Sequence, residues 1–192
     1  DGRLVDLDTE IDSDADVMFV TRRDADALEL IRHDAAHVLA EAVQELYPGT
    51  QVTIGPSIEN GFYYDFDRKE PFTEADLAKI EAEMAAIVKA NEPFERHEID
   101  RGEARAMFER LGESYKVELI DSFPPDAVVS YYTTGDWFDL CRGPHVARAG
   151  EIGAFKLLSV AGAYWRGNEQ NAQLQRIYGT AFATKAELDA YL

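Results

Sequence analysis

Cysteine is nearly missing from this sequence: Cys141 is the only one in 192 residues, which excludes an internal disulfide framework and suits a reducing compartment. Basic residues are scarce as well. Lys and Arg number 19 against 37 Asp and Glu, a formal charge of −18, and so negative a chain repels phosphate backbones at long range. Contact with nucleic acid must then rest on local basic residues and on partners outside the chain. The acidity fits a heavily solvated surface, either adapted to high salt or simply acidic. No run of about 18 apolar residues occurs, and no basic-then-apolar leader opens the chain, so a cytoplasmic protein with no membrane partner is expected. Internal repeats and low-complexity tracts are also lacking. The length suits one large domain, or one domain with fragments attached.

What is present centres on Asp24 to Tyr47. Leu28, Ile31, Ala35, Leu39, Ala42, Val43 and Leu46 recur at three- and four-residue steps, which predicts a long helix with one stripe packed on a sheet. Asp24 or Asp26 is the expected N-cap, and Pro48-Gly49 ends the helix. His33 and His37 lie one turn apart on it, with Cβ atoms roughly 5 to 6 Å apart. Cys141 and His145 repeat that spacing within Cys141-Arg142-Gly143-Pro144-His145. The one cysteine and three of the four histidines thus form two pairs, while His97 has no partner in sequence and is given no role.

Around these pairs the chain reads as short elements. Leu4-Val5 and Val17 to Val20 look like two strands, a remnant of a small β-rich domain. Gln51–Ile54 and Phe62–Phe66 predict a hairpin, with Asn60-Gly61 supplying the positive φ angles of its turn. Thr73 with Asp76 makes a capping box for a helix that buries Leu77, Ile80, Met84, Ile87 and Val88 and ends near Asn91-Glu92-Pro93. A strand (94–99), a helix (102–110) closed by Gly112, a helical turn through Ile120, and strands at 128–133, 137–140, 155–160 and 173–181 follow. Thr184 and Glu187 cap a last helix. Helix, hairpin and strands interrupted by short helices do not alternate as a parallel α/β fold does. The expected class is α+β, a mostly antiparallel sheet packed around the long central helix.

Two imidazoles, a thiol and a third imidazole form a set able to hold a divalent metal, zinc first. His33-Asp34-Ala35-Ala36-His37 imitates the H-E-x-x-H of metalloproteases, but Asp34 is too short to reach a metal-bound water, which argues against a zincin. Each residue also has a plainer reading: a histidine on a helix is ordinarily a packed or hydrogen-bonded residue, and a lone cysteine a small buried one. Only the coincidence of two pairs favours chemistry.

Several blocks carry a resemblance in common order: Ile31-Arg32-His33 through His37, Ile54-Gly55-Pro56, Gly61-Phe62-Tyr63-Tyr64-Asp65, Glu113-Ser114-Tyr115-Lys116, Cys141 to Val146, Gly162-Ala163-Tyr164-Trp165-Arg166-Gly167, and Arg176 to Ala181. Together they resemble the N-terminal editing domain of bacterial-type threonyl-tRNA synthetase. The likeness assigns residues 23–183 to the editing domain, 1–22 to a partial TGS-like remnant, and 184–192 to the start of a linker helix toward a catalytic domain. It implies hydrolysis of serine mischarged on threonine tRNA, because one methyl is worth only about 1 to 3 kcal/mol of discrimination. By position in the motifs, His33 and Lys116 are the candidates for activating or placing water. Asp139 would accept the substrate ammonium, His37, Cys141 and His145 would line the pocket, Tyr63 and Tyr64 would wall in the terminal adenosine, and Arg142 and Arg166 would meet the tRNA end.

The resemblance further implies no required metal, with zinc bound adventitiously if at all through His33, His37, Cys141 and His145. ATP, Mg and a separate zinc belong to the catalytic domain. Partners implied are the seryl 3′ end of threonine tRNA and the rest of the synthetase chain, with this part a monomer and the full-length enzyme a homodimer. The competing readings are a zinc-dependent hydrolase of the alanyl trans-editing or another kind, and a tRNA-binding appendage without chemistry.

Overall fold

The structure, a computed structural model, describes residues 2–192; Asp1, which the expected 1–22 remnant includes, lies outside the described residues. In chain order the first half runs α1 (Ala25–Leu46), β1 (Gln51–Val52), β2 (Ser57–Ile58), β3 (Gly61–Asp67), α2 (Glu74–Ala90), β4 (Phe94–Asp100), α3 (Arg101–Arg110) and α4 (Ser114–Asp121). The second half adds β5 (Val128–Thr134), β6 (Trp137–Leu140), β7 (Ala154–Tyr164), β8 (Gln173–Phe182) and α5 (Lys185–Tyr191). The class is α+β, and every strand pairing is antiparallel.

α1 contains neither Gly nor Pro and is rich in strong helix formers. It differs from the expected single buried stripe: every residue from Asp34 to Val43 is buried. The reason is that three layers cover it. A five-stranded sheet, ordered β1-β3-β8-β7 with β2 also on β3, packs Phe62, Phe66 and Ile177 on one side. α2 brings Ile80, Met84 and Ile87 on another. The smaller β4-β5-β6 sheet delivers Trp137 and Cys141 to the third. Ala35, Ala36, Ala40 and Ala42, all fully buried, allow these layers to approach closely. α3 and α4 pack against the smaller sheet through Ala104, Phe108, Ile120 and Val129.

The expected capping boxes at Thr73/Asp76 and Thr184/Glu187 both form. Asp24 is the N-cap of α1, but its carboxylate turns back to accept from the Thr21 N–H and hydroxyl. Three expectations need correction. The two strands at Leu4-Val5 and Val17–Val20 do not form: the segment before α1 is irregular, because an extended run with no partner edge gains no ladder. Asn60 and Gly61 do not adopt positive φ; Gly61 is needed instead because a side chain there would strike the Gly179 carbonyl on β8. Finally β7 continues through Gly162 to Tyr164, since β8 offers partners that far, Tyr164 pairing with Gln173. Among the described residues no helix is long and apolar enough to cross a membrane.

Candidate active site

Four side chains from two distant segments meet at one place. His33 and His37 project from α1, and β6 runs directly into Cys141. One ligand atom from each of His33, His37, Cys141 and His145 lies within 4.8 Å of all the others. His33 Nε2 is 3.1 Å from Cys141 Sγ and His145 Nε2 is 3.3 Å from it. The loop is tied to β5: the Cys141 N–H donates to the Ser130 carbonyl, and the Ser130 hydroxyl donates to the Cys141 carbonyl at 2.6 Å. Gly143 sits at φ 70° where a side chain would run into the Tyr132 hydroxyl, and its N–H donates to the Cys141 sulfur at 3.2 Å.

His145 is held from every side. Its ring stacks on Phe94 at 4.8 Å and lies 4.2 Å from Tyr132. Its Nδ1 meets Asp34 Oδ1 at 2.6 Å, and Asp34 Oδ2 accepts from the Val146 N–H. Asp34, which in sequence only imitated a metalloprotease glutamate, therefore fixes the tautomer and direction of His145. Burial works against a charge on His145, yet the Asp34 carboxylate raises its pKa to about 10. Burial would also push the Cys141 thiol up, but His37 and the hydrogen bonds of His145 and His33 hold it well below the usual thiol range. His37, fully enclosed, is pushed down by desolvation. The sulfur of Cys141 is thus flanked by three imidazoles that favour its charged form, and the His145 imidazole by a carboxylate that favours its own.

A second cluster adjoins the first. Lys116 Nζ lies 2.5 Å from Asp139 Oδ1 and donates to the Tyr64 hydroxyl at 3.0 Å. Tyr64 donates in turn to Asp139 Oδ2 at 2.6 Å, and His37 Nδ1 stands 3.7 Å from the same oxygen. All three are sealed, with Lys116 and Asp139 2% and Tyr64 1% exposed. The Leu140 N–H also donates to Asp139 Oδ1, which leaves Oδ2, held by the Tyr64 hydroxyl, as the oxygen nearer His37.

The expected site residues divide accordingly. His33, His37, Cys141, His145, Lys116, Asp139 and the Tyr64 hydroxyl come together. The Tyr64 ring is at odds with a wall for a base: Phe66 stacks on it at 5.2 Å, and the Gly55 backbone presses so close that a side chain there would collide. Tyr63 points to the other face of the sheet, beneath the Arg176 guanidinium at 3.7 Å, and Arg176 pairs with Asp65. Arg142 is exposed, and Arg166 pairs with Glu118 at 3.1 Å. His97, given no role, packs on Tyr131 and bonds Thr133. Sequence reasoning missed the holding of His145 by Asp34, Phe94 and Tyr132, and it missed Asp6, whose carboxylate accepts from the His145 N–H at 2.9 Å and the Tyr132 hydroxyl at 2.6 Å. Nothing local to Asp6 marks it, since its partners lie over a hundred residues away.

Antiparallel sheets around a helix, with His-x-x-x-His facing Cys-x-x-x-His, define a class, and comparison with known proteins agrees: residues 129–178 match the family described as the threonyl and alanyl tRNA synthetase second additional domain. Within that class the likeness is to the threonyl branch. The chain is 62% identical over 193 residues to the threonine-tRNA ligase of Granulibacter bethesdensis, covering 100% of this chain and 30% of that one. It is 61% identical over 193 residues to that of Acidiphilium cryptum, with the same coverage, and 60% identical over 192 residues to that of Rhodopseudomonas palustris, covering 29% of it. Over its whole length the chain is thus similar to one stretch of the threonine-tRNA ligases, and part of it matches the second additional domain described for threonyl and alanyl tRNA synthetases. It spans about 30% of the length of the curated relatives it matches.

Proposed function

We propose that this domain hydrolyses the ester of serine mischarged on threonine tRNA. The observation that carries the reading is the convergence of His33, His37, Cys141 and His145 beside the Lys116–Tyr64–Asp139 cluster. With Nε2 of His33 donating to the Cys141 thiolate, its Nδ1 is left as the acceptor nitrogen, and His33 is the half-buried member of the histidine trio. It takes a proton from water as the water oxygen bonds to the ester carbonyl carbon. The ester C–O bond then breaks, serine leaves as its acid, and the proton passes to the ribose oxygen. Lys116, fixed between Asp139 and Tyr64, stabilises the charge that develops on the carbonyl oxygen. The ammonium of serine is assigned to Asp139 Oδ2, the oxygen nearer His37, while Cys141 and His145 bound the seryl side chain and crowd the extra methyl of threonine.

The same donors also favour a second reading. The spacing of His33, His37, Cys141 and His145 suits a tetrahedral zinc ion, and Asp34 behind His145 is the outer partner such a ligand needs. Bound there, the ion would polarise water or a carbonyl. Cys141 Sγ already accepts from the Gly143 N–H and lies within hydrogen-bonding distance of His33 and His145, so its contacts are met within the chain, which favours an editing pocket that needs no metal and takes zinc only adventitiously. Stoichiometric zinc in protein made without nickel, with activity lost to a chelator, would reverse that preference.

In this reading residues 1–22 are the tail of a TGS-like domain, 23–183 the editing domain, and 184–192 the start of a linker helix. The full-length enzyme is a cytoplasmic homodimer, and its ATP, Mg and zinc act elsewhere in the chain. Seryl-tRNA of the threonine isoacceptor should lose its label on incubation with the chain and keep it with a folded His33→Ala variant. An intact ester in both would leave only a tRNA-binding appendage.

A further inference from the structure

The segment before α1 has little of its own to hold it. Within residues 2–20 the only backbone hydrogen bond between described residues is that from Thr9 N–H to the Asp6 carbonyl, and Leu7, Ile11, Val17, Met18 and Phe19 are exposed. A stretch so poor in internal bonds has low local stability. Yet it lies over the His145 side of the pocket. A cavity of about 490 Å³ separates it from Ala27, Leu30 and Ile31 of α1 and reaches Pro144 and His145. Leu4, with Leu30, Ser57, Gly143 and Pro144, closes a smaller opening of about 190 Å³ onto His33.

Among the described residues, the only hydrogen bonds tying residues 2–20 to the rest of the chain are those accepted by Asp6: one from the His145 N–H and one from the Tyr132 hydroxyl. Both partners belong to the frame of the site. The Tyr132 ring packs on the His145 ring, and its hydroxyl fills the space that Gly143 leaves. One carboxylate thus fastens the segment and, by the same two bonds, sets the loop that carries His145. We propose that Asp6 is a positioning residue for the pocket: it locks the Gly143–His145 loop, and freeing it both loosens His145 and uncovers the thiol. The kinetic half of this inference rests on the ester-hydrolysis reading above; the exposure of the thiol does not.

The test uses the 192-residue chain with Asp6→Ala, Asp6→Asn and Tyr132→Phe, and two readouts: seryl ester hydrolysis at varied substrate, and alkylation of Cys141, the single cysteine, by iodoacetamide. Loss of two charge-assisted bonds in Asp6→Ala should lower kcat about tenfold with KM within about twofold, and speed alkylation at least about fivefold. Asp6→Asn should restore both to within about twofold, because its side-chain oxygen still accepts from His145 and its amide can donate to the Tyr132 oxygen. Tyr132→Phe, which keeps the ring and loses one bond, should fall between. Unchanged alkylation in Asp6→Ala overturns the proposal whatever the hydrolysis rate, as does faster alkylation with kcat unchanged. A drop in thermal midpoint that Asp6→Asn does not rescue would assign Asp6 to general folding and overturn it too. Should the parent chain itself leave the ester intact, the editing reading fails, while faster alkylation rescued by Asn would still support the lock.

Discussion

The two clusters that meet at His37 are built on opposite plans. On one side Lys116, Tyr64 and Asp139 are sealed and mutually bonded; on the other, His33 and Cys141 are only half-buried and His33 lines an opening. The sealed cluster is a fixed electrostatic frame, whose two charged members cannot be removed singly without leaving a buried, unpaired charge. The open cluster is where a substrate can arrive, and its half-buried member His33 carries little of the fold. Stability and activity should therefore separate along the line between them.

The sharpest way to break this contrast is Lys116→Met, which strands Asp139. It should destabilise the domain by about 3–5 kcal/mol, read from the denaturant midpoint, and adding Asp139→Asn should recover much of the loss; an unmoved midpoint would mean the pair is not sealed. His33→Ala should show the reverse, losing about 10²- to 10³-fold in hydrolysis while its unfolding midpoint stays near that of the parent. Glu41, one turn beyond His37, supplies a third case, sealed but with an oxygen that has no partner among the described residues. Burial, with Glu45 and Glu92 nearby, raises its pKa from 4.5 to about 8. A carboxyl whose folded pKa is raised favours folding below its unfolded pKa, and that contribution is lost as pH rises toward the folded value. Glu41→Gln should thus leave stability unchanged below pH 4.5 and increase it above, by at most about 1.4 kcal/mol per pH unit until about pH 8. Equal gains at pH 4 and pH 8 would contradict the assignment. Smallest of all, Thr73→Ala removes the α2 cap far from the pocket and should cost about 1 kcal/mol in unfolding with hydrolysis untouched.

The open cluster was the legible one. A four-residue spacing on a helix puts His33 and His37 on one face whatever the tertiary structure, and the Cys141–His145 spacing repeats it within one loop. The capping boxes were readable for the same reason, since their partners lie three residues apart. The sealed cluster was readable in its membership only. That Tyr64 turns inward while Tyr63 turns outward depends on which face of β3 meets α1, and alternation alone does not say so. Asp34 sits between two legible histidines, but its meaning comes from a loop more than a hundred residues away. Asp6 is the extreme case, one carboxylate in an acidic stretch distinguished only by what folds beneath it. The burial of α1 on every side was hidden as well, because polar residues such as Glu41 and Asp34 break the apolar pattern at positions that three separate layers nevertheless cover.

The central claim is that the pocket accepts serine and turns threonine away while it cleaves the ester. The direct measurement is single-turnover deacylation of seryl- and threonyl-tRNA of the threonine isoacceptor by the same preparation of the chain. The account predicts a seryl rate above the threonyl rate by about 100-fold or more, the upper end of what one methyl can provide. Equal rates for the two esters would contradict it.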